Sequence, residues 1–158
     1  NIETRLKKLD SGKYDAIVLA VAGVKRLGLG ARIRQIISED ECVPASGQGA
    51  IGIEIRKDFD EIKQLVAPIN DKDTFNCVSA ERRVALELDA SCDLPIGIFA
   101  SVSGDNFSLQ VFISDGDGEK IIRESISGSY KNIREITKQF IVTLRKRGIK
   151  EMLLQGSG

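Results

Sequence analysis

The stretch Asp89-Ala90-Ser91-Cys92-Asp93-Leu94-Pro95-Ile96-Gly97 holds one thiol in a tight connection between a long helical pattern and a run of strands. On composition alone, a single cysteine there reads as a small buried hydrophobe. As a nucleophile it sits just past a helix C-terminus, where the negative end of the dipole disfavours the thiolate. Such a thiol would make a poor nucleophile for attack in every turnover. Earlier in the chain, Pro44-Ala45-Ser46-Gly47-Gln48-Gly49-Ala50 is a break, with a proline and two glycines in seven positions. That composition fits a hinge, a plain turn, or a backbone that must come close to a ligand. The other two cysteines, Cys42 and Cys77, carry no motif and read as structural. With three cysteines, no metal-like spacing and no histidine, the residues argue against a zinc site, a disulfide scaffold and a Ser-His or Cys-His nucleophile.

The elements that must position these groups follow from periodicity. Ile2, Leu6 and Leu9 predict an amphipathic helix over 2–9, ended by Ser11-Gly12. Ala16 to Val21 is a short, continuous apolar run, the pattern of a strand covered on both faces. A helix or turn is expected from Ala22 to Leu29, while the state of the patch around Ile33, Ile36 and Ile37 stays open. Ile51, Ile53 and Ile55 alternate with polar residues as in a half-buried strand, and a helix from about Asp58 to Val66 should turn Ile62, Leu65 and Val66 inward. The longest helix begins at Asp71 or Asp73 as N-cap, with Phe75, Val78, Ala85 and Leu88 as its core stripe and Glu81, Arg82 and Arg83 elsewhere. Strands are expected at Ile96–Val102, Ser108–Ile113 and Lys120–Ile126, joined by hairpin-like turns. Ile133, Ile136, Phe140 and Leu144 mark a final helix capped by Gly148. Helix, three-strand meander and helix make a compact α+β unit over 70–158.

Length allows one domain or two small ones among 158 residues. Lysine plus arginine and aspartate plus glutamate both number 23, so charge points to neither nucleic acid nor a membrane surface. No apolar run approaches a membrane span of about 20 residues, and the first residues lack a signal-peptide layout.

Four pieces in order, Asn1-Ile2-Glu3-Thr4-Arg5-Leu6, Tyr14 to Arg26, Ser46 to Ala50 and Cys92 to Gly97, with Ala80-Glu81-Arg82, resemble the porphobilinogen deaminase (hydroxymethylbilane synthase) family. The resemblance covers essentially the whole chain but only the second half of such an enzyme. It departs from the family at Ala90-Ser91, where Gly-Gly is usual. It implies an α/β plus α+β fold: the end of a periplasmic-binding-protein-like α/β domain two at 1–43, a hinge loop and a strand and helix returning to domain one at 44–69, and domain three at 70–158. It implies a dipyrromethane cofactor held as a thioether by Cys92, and a reaction that joins four porphobilinogens head to tail with loss of ammonia. Each ring brings two carboxylates, which guanidinium forks bind bidentately. Arg5 and Arg26 match the family's cleft arginines, whereas Arg32 and Arg34 read as surface cations. Gln48 and Gly49 would face the cofactor, and Ser46, Asn1 and Ala20 match positions lining the cleft. The family's acid/base aspartate lies in the absent N-terminal half, so no catalytic residue is assigned in this segment, no metal is expected, and the chain alone is not expected to turn over substrate. Its partners would be porphobilinogen, the growing polypyrrole and the missing half. A monomer is expected, in the cytoplasm or, in a eukaryote, the plastid stroma. The rival reading is a non-catalytic anion-binding α/β module using Arg5, Arg26 and loop 46–50. A third is an isolated structural domain at 70–158 in which Cys92 is merely buried.

Overall fold

The computed structural model describes residues 1–90, 95–115 and 117–149. The chain divides into two compact units, residues 1–38 and 39–158.

In the first unit, α1 (Ile2–Asp10) is capped by Asn1, whose side-chain oxygen accepts from the Glu3 N–H at 2.9 Å. Glu3 in the first turn and Lys7 and Lys8 in the last complement the helix dipole. α2 (Val21–Arg26) follows, then a 3-10 turn at Gly30–Arg32. The two helices pack closely: a Cβ at Gly23 would lie 2.9 Å from the Ile2 side chain. Leu6 and Val24 are the buried residues here. The strand expected at 16–21 is absent. Residues 16–20 have no regular structure, α2 begins at Val21, and Val18 is 67% exposed. A parallel-type strand needs neighbours on both edges to satisfy its backbone and cover its side chains, and no described strand pairs with this run.

The second unit holds α3 (Asp60–Val66), α4 (Lys72–Glu87), β1 (Ile96–Ser103), β2 (Asn106–Ser114), β3 (Ile121–Ser129) and α5 (Ile133–Lys146). The strands form one antiparallel sheet in the order β1-β2-β3, with Ala100 opposite Leu109 and Leu109 opposite Ile126. Gly104, at φ +61, takes the first central position of the two-residue turn between paired Ser103 and Asn106, the place a type II′ hairpin gives to glycine. α4 packs on β1, α5 on β3, and the helices pack on each other. Ile98 and Ala100 of β1 and Phe107, Leu109, Val111 and Ile113 of β2 alternate inward. They meet Val84 and Leu88 of α4 and Ile136, Phe140 and Leu144 of α5 in one core. Gly128 lets α5 settle on β3, since a Cβ there would lie 2.8 Å from the Ile136 side chain. The helix, meander and helix read from the sequence are therefore present as a small α+β domain.

Three expectations need correction. Residues 51–56 do not form a strand, and Ile51 is 92% exposed. α3 forms as expected, yet Ile62 and Leu65 face solvent, Leu65 at 74% exposure. In both, the pattern marks a face that needs covering, and no described residue covers it. α4 is capped by Asp71, which accepts from Thr74 N–H at 2.7 Å, but it is rotated from the expected stripe. Phe75 is 60% exposed, and the inner face is Cys77, Ala80, Glu81, Val84 and Leu88. Small residues face β1, so helix and sheet approach closely.

The helix ends share one device. After α1 and α2, Gly12 (φ +72) and Gly28 (φ +71) occupy the left-handed position. Their N–H groups bond Leu9 and Lys25 carbonyls, while Lys13 and Leu29 bond those of Lys8 and Val24. This is the Schellman arrangement. α4 ends the same way, Asp89 N–H to Leu86 and Ala90 N–H to Ala85, except that the left-handed residue is Asp89 at φ +51. Gly148, at φ +66, ends α5 with its N–H on Arg145.

Candidate functional site

The site residues read from the sequence fall into both units. Asn1, Arg5, Ala20 and Arg26 are in the first; Ser46, Gln48 and Gly49 share one loop of the second. Cys92 lies outside the described residues.

In the first unit, Arg5 projects from α1 and Arg26 ends α2, both exposed. Neither makes a side-chain hydrogen bond or ion pair among the described residues, whereas Arg32 is paired with Asp10. A guanidinium left without a carboxylate keeps its five donors for an anion. Asn1 spends its carbonyl oxygen on the cap of α1, and Ala20 stands exposed before α2.

In the second unit, a strap of residues 40–50 is fastened at several points. Arg123 of β3 lies over the Phe112 ring and donates to the Asp40 carbonyl at 2.6 Å. Ile98 N–H donates to the Pro44 carbonyl at 2.8 Å, covering part of the free edge of β1. Gly97 makes this approach possible, because a Cβ there would lie 2.3 Å from the Val43 carbonyl oxygen. The next outward donor of β1, Ala100 N–H, goes to Glu81 Oε1 at 2.8 Å, and Glu81 Oε2 accepts from Gly47 N–H at 2.7 Å. Glu81 is only 4% exposed. Burial raises its pKa above the ordinary value, against the lowering effect of the two backbone donors.

Beyond Gly47 (φ +74) the loop turns back on itself. Gln48 N–H bonds the Ala45 carbonyl at 3.0 Å, and Gln48 Oε1 accepts from Ala45 N–H at 3.2 Å. That leaves the Gln48 side-chain amide with its donors unspent among the described residues. The Ser46 hydroxyl oxygen is buried with no partner among the described residues. Gly49, at φ +88, exposes its backbone.

Beside this loop is an open depression of about 380 Å³, lined in part by Gln48, Gly49, Asp73, Cys77, Glu81 and Phe99. Its ionisable walls among the described residues are carboxylates and a thiol, so any guanidinium partner for an acidic ligand must come from elsewhere. Cys77 is buried; its thiol is pushed up to about 11, first by burial and then by the carboxylates of Glu81, Asp73 and Asp71. It stays protonated at neutral pH, as a packing residue should. Cys42 is exposed. Glu81 is the residue that sequence reasoning assigned to the wrong face. The signal was there: it stands four residues after Cys77 and three before Val84, in phase with the true inner stripe.

Residues 1–64 match the family model "Porphobilinogen deaminase, dipyromethane cofactor binding domain", and residues 75–146 match "Porphobilinogen deaminase, C-terminal domain". The chain is 47% identical over 128 residues to a porphobilinogen deaminase of Methylobacillus flagellatus, covering 81% of this chain and 41% of that protein. It is 42% identical over 153 residues to one of Thiobacillus denitrificans, covering 97% and 50%. A porphobilinogen deaminase of Chromobacterium violaceum is 48% identical over 128 residues, covering 81% and 41%. The chain thus spans half or less of the length of these relatives.

Proposed function

The chain belongs to the porphobilinogen deaminase family, and from that premise we propose that it is the C-terminal half of a hydroxymethylbilane synthase. The observation that carries this reading is that two models of the family match in order along one chain, over residues 1–64 and 75–146. The transferase so formed condenses four porphobilinogens into the linear tetrapyrrole with release of ammonia, and works with the preceding half of the same enzyme. In this reading residues 1–43 close a periplasmic-binding-protein-like domain two. Residues 44–69, whose Ile51, Ile53, Ile62, Leu65 and Ile69 stand in solvent, form the hinge loop and the return to domain one. The setting it implies is a monomer in the cytoplasm, or the plastid stroma of a eukaryote.

The residues present fit a dipyrromethane bearing several carboxylates. Arg5 and Arg26 are exposed cations without a carboxylate partner among the described residues, in contrast to Arg32. Among the described residues Ser46 keeps an unpartnered hydroxyl and the Gln48 amide keeps its donors. We assign carboxylate binding to Arg5 and Arg26, and ring or carboxylate hydrogen bonding to Ser46, Gln48 and the Gly49 backbone, with Asn1 and Ala20 lining the cleft. When bound, the cofactor supplies the primer on which the pyrrole chain is built. Cys92 is its covalent anchor; Cys77, protonated and buried, is unsuited to that task. Acid/base chemistry belongs to the preceding half.

Intact-mass measurement of the full-length protein tests this. The expected result is a dipyrromethane adduct on Cys92, a pink Ehrlich reaction, and loss of both in Cys92→Ser. A full-length protein that is active with an unmodified Cys92, or that makes no hydroxymethylbilane, would sink the assignment.

A further inference from the structure

We propose that Glu81 is a positioning residue that holds loop 44–50 in its ligand-binding shape by standing in for a missing strand at the edge of β1. The inference rests on the functional reading above and deepens it. β1 is an edge strand, and its outward N–H groups at Ile98 and Ala100 would ordinarily bond a neighbouring strand. Ile98 finds the Pro44 carbonyl at 2.8 Å. The chain then leaves the edge, and no backbone carbonyl of the strap serves Ala100.

Glu81 reaches up from α4 to fill that rung, one carboxylate oxygen on Ala100 N–H and the other on Gly47 N–H. It therefore fixes a segment matched to the cofactor-binding domain onto one matched to the C-terminal domain. Gly47 is the pivot: held by its N–H at φ +74, it sets the directions in which Ser46, Gln48 and Gly49 leave the strap. A carboxylate can do this because it accepts at both oxygens. A glutamine of the same shape offers one acceptor and turns a donor toward the other N–H.

The test compares full-length wild-type protein with Glu81→Gln, reading amide hydrogen exchange, the adduct on Cys92, and KM separately from kcat. In the wild type, Gly47 N–H should be protected relative to Gly49 N–H, which bonds nothing among the described residues. In Glu81→Gln, protection at Gly47 should fall by about tenfold or more, on the order of one hydrogen bond, while β2 amides keep theirs. KM for porphobilinogen should rise by a similar factor, with kcat changing less. Unchanged exchange at Gly47, an unchanged KM, or a parallel loss of protection through β2 would each overturn the proposal. If the variant does not fold, the wild type still decides: equal exchange at Gly47 and Gly49 overturns it, and selective protection at Gly47 supports it. Wild-type protein without the adduct would instead count against the functional reading, and the exchange pattern would still judge Glu81.

Discussion

Residues 70–149 and residues 51–69 carry comparable apolar patterns and fare very differently. The first set buries Val84, Leu88, Phe107, Leu109, Phe140 and Leu144 among its own elements. The second leaves Ile51, Ile53, Ile62, Leu65 and Ile69 exposed, as residues 16–20 leave Val18. A hydrophobic pattern states that a face must be covered; it does not state that the cover lies in the same stretch of chain. In the α+β domain the partners are neighbours in sequence, so pattern and packing agree. In the other stretches the residues are prepared for a surface that the proposed preceding half would supply.

The largest expected effect tests that difference directly. Phe140→Ala should destabilise the chain by about 3–5 kcal/mol in urea unfolding, whereas Ile51→Ala should change it by no more than about 0.5 kcal/mol. In the full-length protein the Ile51→Ala cost should rise to about 2 kcal/mol or more. No rise would break the comparison.

Glu81→Ala comes next, with about 1–3 kcal/mol for each backbone N–H left unsatisfied. The pH dependence has a definite sign. Because burial raises the folded pKa of Glu81, ionising it in the fold costs global stability. That cost is absent below the unfolded value and grows as pH rises through the raised one, set against the two N–H bonds the carboxylate accepts locally. Urea midpoints of wild type and Glu81→Gln should therefore diverge across that window, with the wild type losing ground as pH rises. Parallel pH profiles would count against a desolvated carboxylate.

Asp89→Val should cost about 1–2 kcal/mol, since a β-branched residue pays heavily in the left-handed region, and Asp89→Gly should cost none of that strain. Thermal unfolding distinguishes the two. The smallest stability effects should be those of Arg5→Ala and Arg26→Ala, within about 0.5 kcal/mol. Their consequence should appear in the full-length protein as weaker porphobilinogen binding, a KM raised about tenfold or more. An unchanged KM would return both arginines to the surface.

How much the sequence revealed follows from where each residue finds its partner. The meander, both flanking helices and the caps at Gly12, Asp71 and Gly148 were legible, because capping and alternation act within a few residues. The strands expected at 16–21 and 51–55 were not, because a strand is completed by another strand and periodicity contains no partner. The face of α4 was misjudged because Phe75 outweighed Ala80 on hydrophobicity, while close approach to β1 favoured the small residue and the acid between. Of the candidate site, Arg5 and Arg26 were found as cations. Glu81 was missed because its partners, Gly47 and Ala100, are backbone groups that leave no mark in side-chain chemistry.

Gly97 carries a consequence for sequence change along this edge. With only 2.3 Å between the Val43 carbonyl oxygen and the place where a Cβ would stand, even alanine is too large, and no choice of rotamer relieves a collision with main chain. A methyl group at position 97 would prise the Val43-Pro44 segment from the strand while the two helices over the opposite surface kept their seats. The clearance at this one carbon thus works as a latch, separating the fate of the ligand loop from the fate of the core.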